Sequence, residues 1–80
     1  MDLANKSDYG LSGVVFTNDL EKAEACAQRL RVGNAYINTL TAVGSDHPSG
    51  GIKGSGYGRE CYVDGLLDLG NRKTIIRKPL

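Results

Sequence analysis

The stretch LSGVVFTNDLEKAEACAQRLRVGNAYIN, Leu11 to Asn38, changes its hydrophobic period twice, and that change decides the fold. Its opening, LSGVVF at 11–16, is a short apolar run with β-branched Val14 and Val15, flanked by Gly10, and has the composition of a buried strand. Helix signals follow at once. Asn18 is placed to cap the next segment while Glu21, three residues on, reaches back as in a capping box, and Leu20, Ala23, Ala27 and Leu30 recur at helical spacing. Arg29 and Arg31 fall in the last turn, with Gly33 just beyond as a stop. AYIN, 35–38, then reads as a second strand. A crossover of this length predicts a parallel, right-handed βαβ unit.

Beyond this unit, residues 39–58 carry no apolar periodicity and hold six of the chain's eleven glycines together with Pro48, which predicts a twenty-residue loop. Loops of that length in compact proteins are functional or disordered. Tyr62, Leu66 and Leu69 return to helical spacing with Asp64 and Asp68 on the other side, so a helix is expected over 59–69, weakened by Gly65 and stopped at Gly70 and Asn71. KTIIRK, 73–78, with β-branched Thr74, Ile75 and Ile76 before Pro79, reads as a terminal strand. Two strands and one helix cannot cover both faces of a parallel sheet, which needs helices on each side and further strands alongside. The unit is therefore expected to require more structure beside it.

Length and charge narrow the function classes. A chain of 80 residues buries only about 60% of its unfolded surface, so it is expected to form one small unit, and one Phe with no Trp makes a thin core. Ten Lys and Arg against nine Asp and Glu leave a net charge of +1, without the basic footprint of a nucleic-acid binder. Cys26 and Cys61 have no second pair beside them, which suits reduced thiols and predicts a reducing, cytoplasmic location. No apolar run approaches the roughly 18 residues of a membrane span, and the N-terminus lacks the layout of a signal peptide.

The chemistry-bearing stretch is SGGIKGSGYGRE, Ser49 to Glu60, with five glycines in twelve residues. A triphosphate-binding loop needs Gly-Lys-Ser/Thr, but Lys53 follows Ile52. A dinucleotide fingerprint fails too, because Gly54, Gly56 and Gly58 have the wrong third spacing and follow a loop instead of a strand. The simplest account is that these glycines let backbone pass close to another segment or adopt positive φ. Cys61, at the start of the second predicted helix, has the position of an activated thiolate but no neighbouring base, and Cys26 lies inside the first helix. His47 and the two cysteines lack zinc-ligand spacing, which leaves His47 a solvated loop residue. Glu60 beside Arg59 is either a general base held by a cation or, the reading that elementary electrostatics favours, a first-turn acid complementing a helix N-terminus.

Four blocks, YGLSGVVFTNDLEKA at 9–23, GNAYIN at 33–38, HPSGGIKGSGYGRE at 47–60 and KTII at 73–76, resemble in order and spacing the C-terminal segment of the NAD(P)-dependent aldehyde dehydrogenase superfamily. The resemblance runs from about Ala4 to Ile76, and Pro48 to Glu60 is similar to the family's Pro-Phe-Gly-Gly-x-Lys-x-Ser-Gly-x-Gly-Arg-Glu, with Ser49 in place of the aromatic residue. It implies an α/β fold in which residues 1–70 form part of an aldehyde dehydrogenase catalytic domain (βαβ unit, glycine-rich loop, helix) and residues 71–80 an oligomerisation strand and tail. It implies NAD or NADP as cofactor of the parent enzyme, none for the isolated chain, and as partners the remainder of a subunit or a neighbouring subunit in a homo-oligomer, with no nucleic acid and no membrane. In such an enzyme a cysteine thiolate attacks the aldehyde, hydride passes to the nicotinamide and water hydrolyses the thioester. Neither Cys26 nor Cys61 matches the nucleophile's motif and no Glu-Leu-Gly-Gly occurs, so nucleophile, general base and cofactor fold are expected upstream of Met1. This chain would supply a substrate-mouth loop from Thr39 to Ser49, with Thr39, Leu40, Thr41, His47 and Ser49 as contacts, and Glu60 as a carboxylate that assists proton movement. Two other readings remain open: an interaction module that docks on full-length subunits by strand addition through KTIIRK, and an autonomous phosphate- or nucleotide-binding protein.

Overall fold

The computed structural model of the protein describes residues 1–40 and 44–80. A one-turn helix α1 (Asp2–Asn5) leads into strand β1 (Tyr9–Gly10), strand β2 (Ser12–Val15), helix α2 (Leu20–Arg29) and strand β3 (Asn34–Ile37). After the loop come a second two-residue strand, β4 (Ile52–Lys53), and helix α3 (Tyr62–Asp68). Strands β2 and β3 pair in parallel, Ser12 opposite Asn34 through Val15 opposite Ile37, with α2 packed on both. The expected βαβ unit is thus present.

Helix α2 starts one residue later than the capping-box reading places it. Asp19, not Asn18, is the N-cap: its extended backbone (φ −92°, ψ 96°) lets the carboxylate accept from the Lys22 N–H at 3.0 Å. The Asp19 N–H is in turn accepted by Thr17 Oγ1 at 3.1 Å. At the other end Leu30 caps in an extended conformation (φ −69°, ψ 127°), so no left-handed glycine stop is needed. Gly33 serves close approach instead. Its N–H donates to the Gly10 carbonyl at 3.0 Å, and a Cβ there would run into the Gly50 carbonyl.

Three expectations are corrected. The stretch 39–58 is not all loop: Ile52–Lys53 pairs antiparallel with Tyr9–Gly10, and Ser49 bridges Glu60. A two-residue strand pairs through its backbone and leaves no side-chain period for the sequence to display. The second helix begins at Tyr62 and not near 59, because the backbone of Glu60 is committed to Ser49 and Cys61 caps at φ 62°. Finally, residues 71–80 form no strand, and Ile75 and Ile76 are 83% and 80% exposed. A strand exists only against a partner edge, and residues 71–80 pair with no strand among the described residues.

Ala23 is the apolar side chain that is fully buried among the described residues, whereas Leu66, Leu69 and Tyr57 lie open. The chain extends over 65 × 26 × 20 Å with a radius of gyration of 17.2 Å; a compact domain of this length has about 12 Å. The molecule is a partial α/β domain whose apolar faces are left uncovered, as a lone parallel pair requires. Among the described residues no helix is long and apolar enough to cross a membrane.

Candidate functional site

Residues 49–60 fold back on themselves. The loop is closed by reciprocal bonds, Ser49 N–H to the Glu60 carbonyl at 2.9 Å and Glu60 N–H to the Ser49 carbonyl at 2.7 Å. It borders an open concavity of about 800 Å³ lined by Leu11, Ser49, Ser55, Tyr57, Arg59 and Glu60 among others. Lys53, Ser55 and Arg59 of the motif interior are engaged with backbone. Lys53 Nζ donates to the carbonyls of Asn5 (3.2 Å) and Ser7 (3.0 Å), and Ser55 Oγ accepts from the Gly10 N–H at 3.0 Å. Arg59 Nη1 donates to the carbonyls of Gly51 and Gly58, both at 2.9 Å, and its own N–H donates to Asp68 Oδ2 at 2.6 Å. From β3, Asn34 Nδ2 donates to Ser49 Oγ and the Gly50 carbonyl, each at 3.3 Å. The glycines permit these approaches: a Cβ on Gly50 would overlap the Gly58 carbonyl.

The expected contact residues fall into separate places. Ser49, 8% exposed, borders the concavity and ties the loop to β3 through its bond from Asn34. Thr39 and Leu40 are exposed where β3 ends, with Thr39 Oγ1 donating to the Leu40 carbonyl at 3.2 Å. Thr41 lies outside the described residues. His47 Nδ1 is 2.8 Å from Asp46 Oδ1, and that hydrogen bond is the main reason the Asp46 carboxyl is held below its ordinary value. Both are solvent-facing, so the pair contributes little to stability. The structure brings Ser49 and Glu60 together through backbone only. The Glu60 side chain is exposed, meets no hydrogen-bond or ionic partner among the described residues, and precedes the cap of α3, whose first-turn acid is Asp64. The first-turn reading of Glu60 therefore fails, and its carboxylate is left facing solvent beside the concavity.

Sequence reasoning missed Asn34, Asn38, Lys53 and Arg59 as organising residues. Their partners are mostly main-chain groups, which carry no residue type for a spacing rule to report. Among the described residues no three His, Cys, Asp or Glu side chains gather to hold a metal. In the glycine loop, Gly54 and Gly56 donate their N–H groups to the Asp8 and Lys53 carbonyls, at 2.8 and 3.2 Å, and the Lys53 ammonium is occupied. A phosphate cradle needs such donors turned outward.

The family model described as aldehyde dehydrogenase family matches residues 1–75. The chain belongs to the aldehyde dehydrogenase family. It is 47% identical over 73 residues to the succinate-semialdehyde dehydrogenase (NADP+) of Deinococcus radiodurans, covering 91% of this chain and 15% of that protein. To the betaine aldehyde dehydrogenase of Bacillus subtilis it is 42% identical over 77 residues, covering 96% of this chain and 16% of the relative. The crystal structure of Staphylococcus aureus betaine aldehyde dehydrogenase in complex with NAD+ superposes with a TM-score of 0.81 at 43% identity, over 84% of this chain and 13% of that one. The aldehyde dehydrogenase resemblance of the four sequence blocks is thereby established, and the chain spans about 15% of the length of the curated relatives it matches.

Proposed function

We propose that this chain works as a C-terminal part of an NAD(P)-dependent aldehyde dehydrogenase that oxidises an aldehyde to a carboxylate, with residues 1–70 completing the catalytic domain and residues 71–80 reaching a neighbouring subunit. The observation that carries it is the family match over residues 1–75 in a chain spanning about 15% of its relatives. In this reading the segment from Thr39 to Ser49 borders the aldehyde mouth through Thr39, Leu40, Thr41 and His47, while Ser49 anchors it. The cofactor, NAD or NADP, is held by other residues of the assembled enzyme, because the glycine loop here is turned to the chain's own carbonyls. What this chain supplies is rigid shape around the mouth, and at Glu60 an exposed carboxylate that accepts and returns a proton. The free thiols of Cys26 and Cys61 agree with a reducing, cytoplasmic setting.

The purified chain is expected to give no aldehyde-dependent reduction of NAD or NADP. Co-expressed with an aldehyde dehydrogenase truncated before the corresponding segment, it is expected to restore turnover. Activity of the chain alone, persisting after contaminating enzyme is removed, would overturn the reading. In that assembled enzyme Glu60→Gln should lower kcat by about tenfold or more, the range for a positioned acid or base, and leave the melting temperature unchanged. An unchanged kcat would remove Glu60 from proton transfer. A second reading, docking on full-length subunits through residues 73–78, is favoured by the exposure of Ile75 and Ile76.

A further inference from the structure

We infer that Asn38 is a positioning residue, whose carboxamide completes the β2–β3 ladder in place of its own main chain and thereby sets the direction in which the substrate-mouth loop leaves the sheet. The inference rests on the proposed aldehyde-mouth role of Thr39 to Ser49. In a parallel ladder the residue opposite Phe16 receives one bond and gives one: its N–H reaches the Val15 carbonyl and its carbonyl accepts from the Thr17 N–H. Asn38 obeys the first half, with N–H to the Val15 carbonyl at 2.9 Å. The second half is replaced. The Thr17 N–H donates to Asn38 Oδ1 at 2.8 Å, and Asn38 Nδ2 donates back to the Thr17 carbonyl at 2.8 Å. The side-chain amide has the donor and acceptor of a peptide group, so it stands in for one.

The main chain is released by this substitution. Asn38 sits at φ 54°, in the left-handed region that Asn tolerates better than most side chains, and this turn carries Thr39 and Leu40 away from the line of the sheet. The clasp also reaches the other connection at the same end of the sheet, because Thr17 Oγ1 accepts from the Asp19 N–H and Asp19 caps α2. One exposed carboxamide therefore fixes both chain exits at the C-terminal ends of the two parallel strands, the end at which open α/β sheets place their ligands. Asn meets all three demands, the turn, the acceptor and the donor. Asp tolerates the turn but cannot donate to the Thr17 carbonyl, Gly adopts the turn without a clasp, and Ala offers neither.

The test compares Asn38→Ala, Asn38→Gly and Asn38→Asp in the assembled enzyme, with hydrogen exchange at the Thr17 amide measured on the full chain. Asn38→Ala should raise the aldehyde KM by about tenfold or more while the KM for NAD or NADP stays unchanged, since a displaced mouth loop loses contacts to the aldehyde that ground state and transition state share. Asn38→Gly should show a smaller rise, and exchange at Thr17 should accelerate in both. Asn38→Asp should keep Thr17 protected yet still raise the aldehyde KM. An aldehyde KM unmoved in Asn38→Ala would overturn the inference. So would a fall in kcat and a rise in both KM values in step with a lowered melting temperature, which marks a purely structural residue. Turnover by the assembled wild-type enzyme checks the proposed function separately, and a Thr17 amide unprotected in the wild-type chain would overturn the clasp itself.

Discussion

Gly33→Ala is expected to abolish cooperative folding of this segment, whether the chain is studied alone or within an assembled enzyme. A Cβ at position 33 meets the carbonyl of Gly50 and approaches Gly51 Cα at 2.9 Å, and both are backbone. A side chain in that place could rotate away; a main-chain carbonyl cannot without moving the loop. The Gly33 N–H is also bonded to the Gly10 carbonyl at 3.0 Å, so the strand that would have to retreat is pinned on its other side. Relief requires breaking either that bond or the Asn34 contacts to Ser49 and Gly50. The expected cost is about 4 kcal/mol or more, in the exceptional range for a single substitution, against a total stability of roughly 4 to 12 kcal/mol for a chain of this length. Gly58→Ala is the control. A Cβ there has Asp68 Oδ2 at 3.7 Å as its nearest neighbour, an ordinary contact. It should cost no more than about 0.5 kcal/mol. Denaturant unfolding of the two variants checks the contrast, and a Gly33→Ala protein as stable as Gly58→Ala would show that the loop does not pack against β3 as described.

The second large effect is expected at the other end of the chain. The chain should sediment as a dimer or larger species, and replacing Ile75 and Ile76 together by Lys should shift it to monomer. Residues 72–78 hold Arg72, Lys73, Arg77 and Lys78 with no acid among them, around two isoleucines that are 83% and 80% exposed. Burying an Ile side chain contributes about 1.5–3 kcal/mol, so losing two weakens association by roughly 10²- to 10⁴-fold. The flanking cations are a known way of blunting a free edge, which makes the opposite outcome meaningful. A monodisperse monomer, indifferent to the double substitution in sedimentation velocity, would leave residues 71–80 without a role in association.

What could be read from the sequence was whatever a local rule reports. The switch from a β-branched run to helical spacing and back, Leu11 to Asn38, specified strand, helix and strand, and their parallel pairing, because each element's side chains repeat with its own period. The uncovered sheet face followed from the same count of elements. The aldehyde dehydrogenase resemblance was legible as four ordered blocks. The helix start was read one residue early, since Asn18 and Asp19 are both capping residues and only the backbone conformation at Asp19 selects between them. The strand expected at 73–78 failed for a different reason: Thr74, Ile75 and Ile76 have β propensity, but propensity cannot supply a partner edge.

The glycine-rich motif marks the division most clearly. The sequence by itself determined that Ser49 to Glu60 is unusually free of side chains and carries neither a triphosphate nor a dinucleotide signature. Only the tertiary structure decided what that freedom is for: the Gly50 carbonyl passes where a Gly33 side chain would stand, Lys53 and Arg59 are drawn onto main-chain carbonyls, and β4 finds β1 across more than forty residues. Backbone groups are identical at every position, so a contact between backbone and backbone leaves no residue type to mark either partner. The sequence records where a side chain is forbidden, and the fold alone supplies the segment that forbids it.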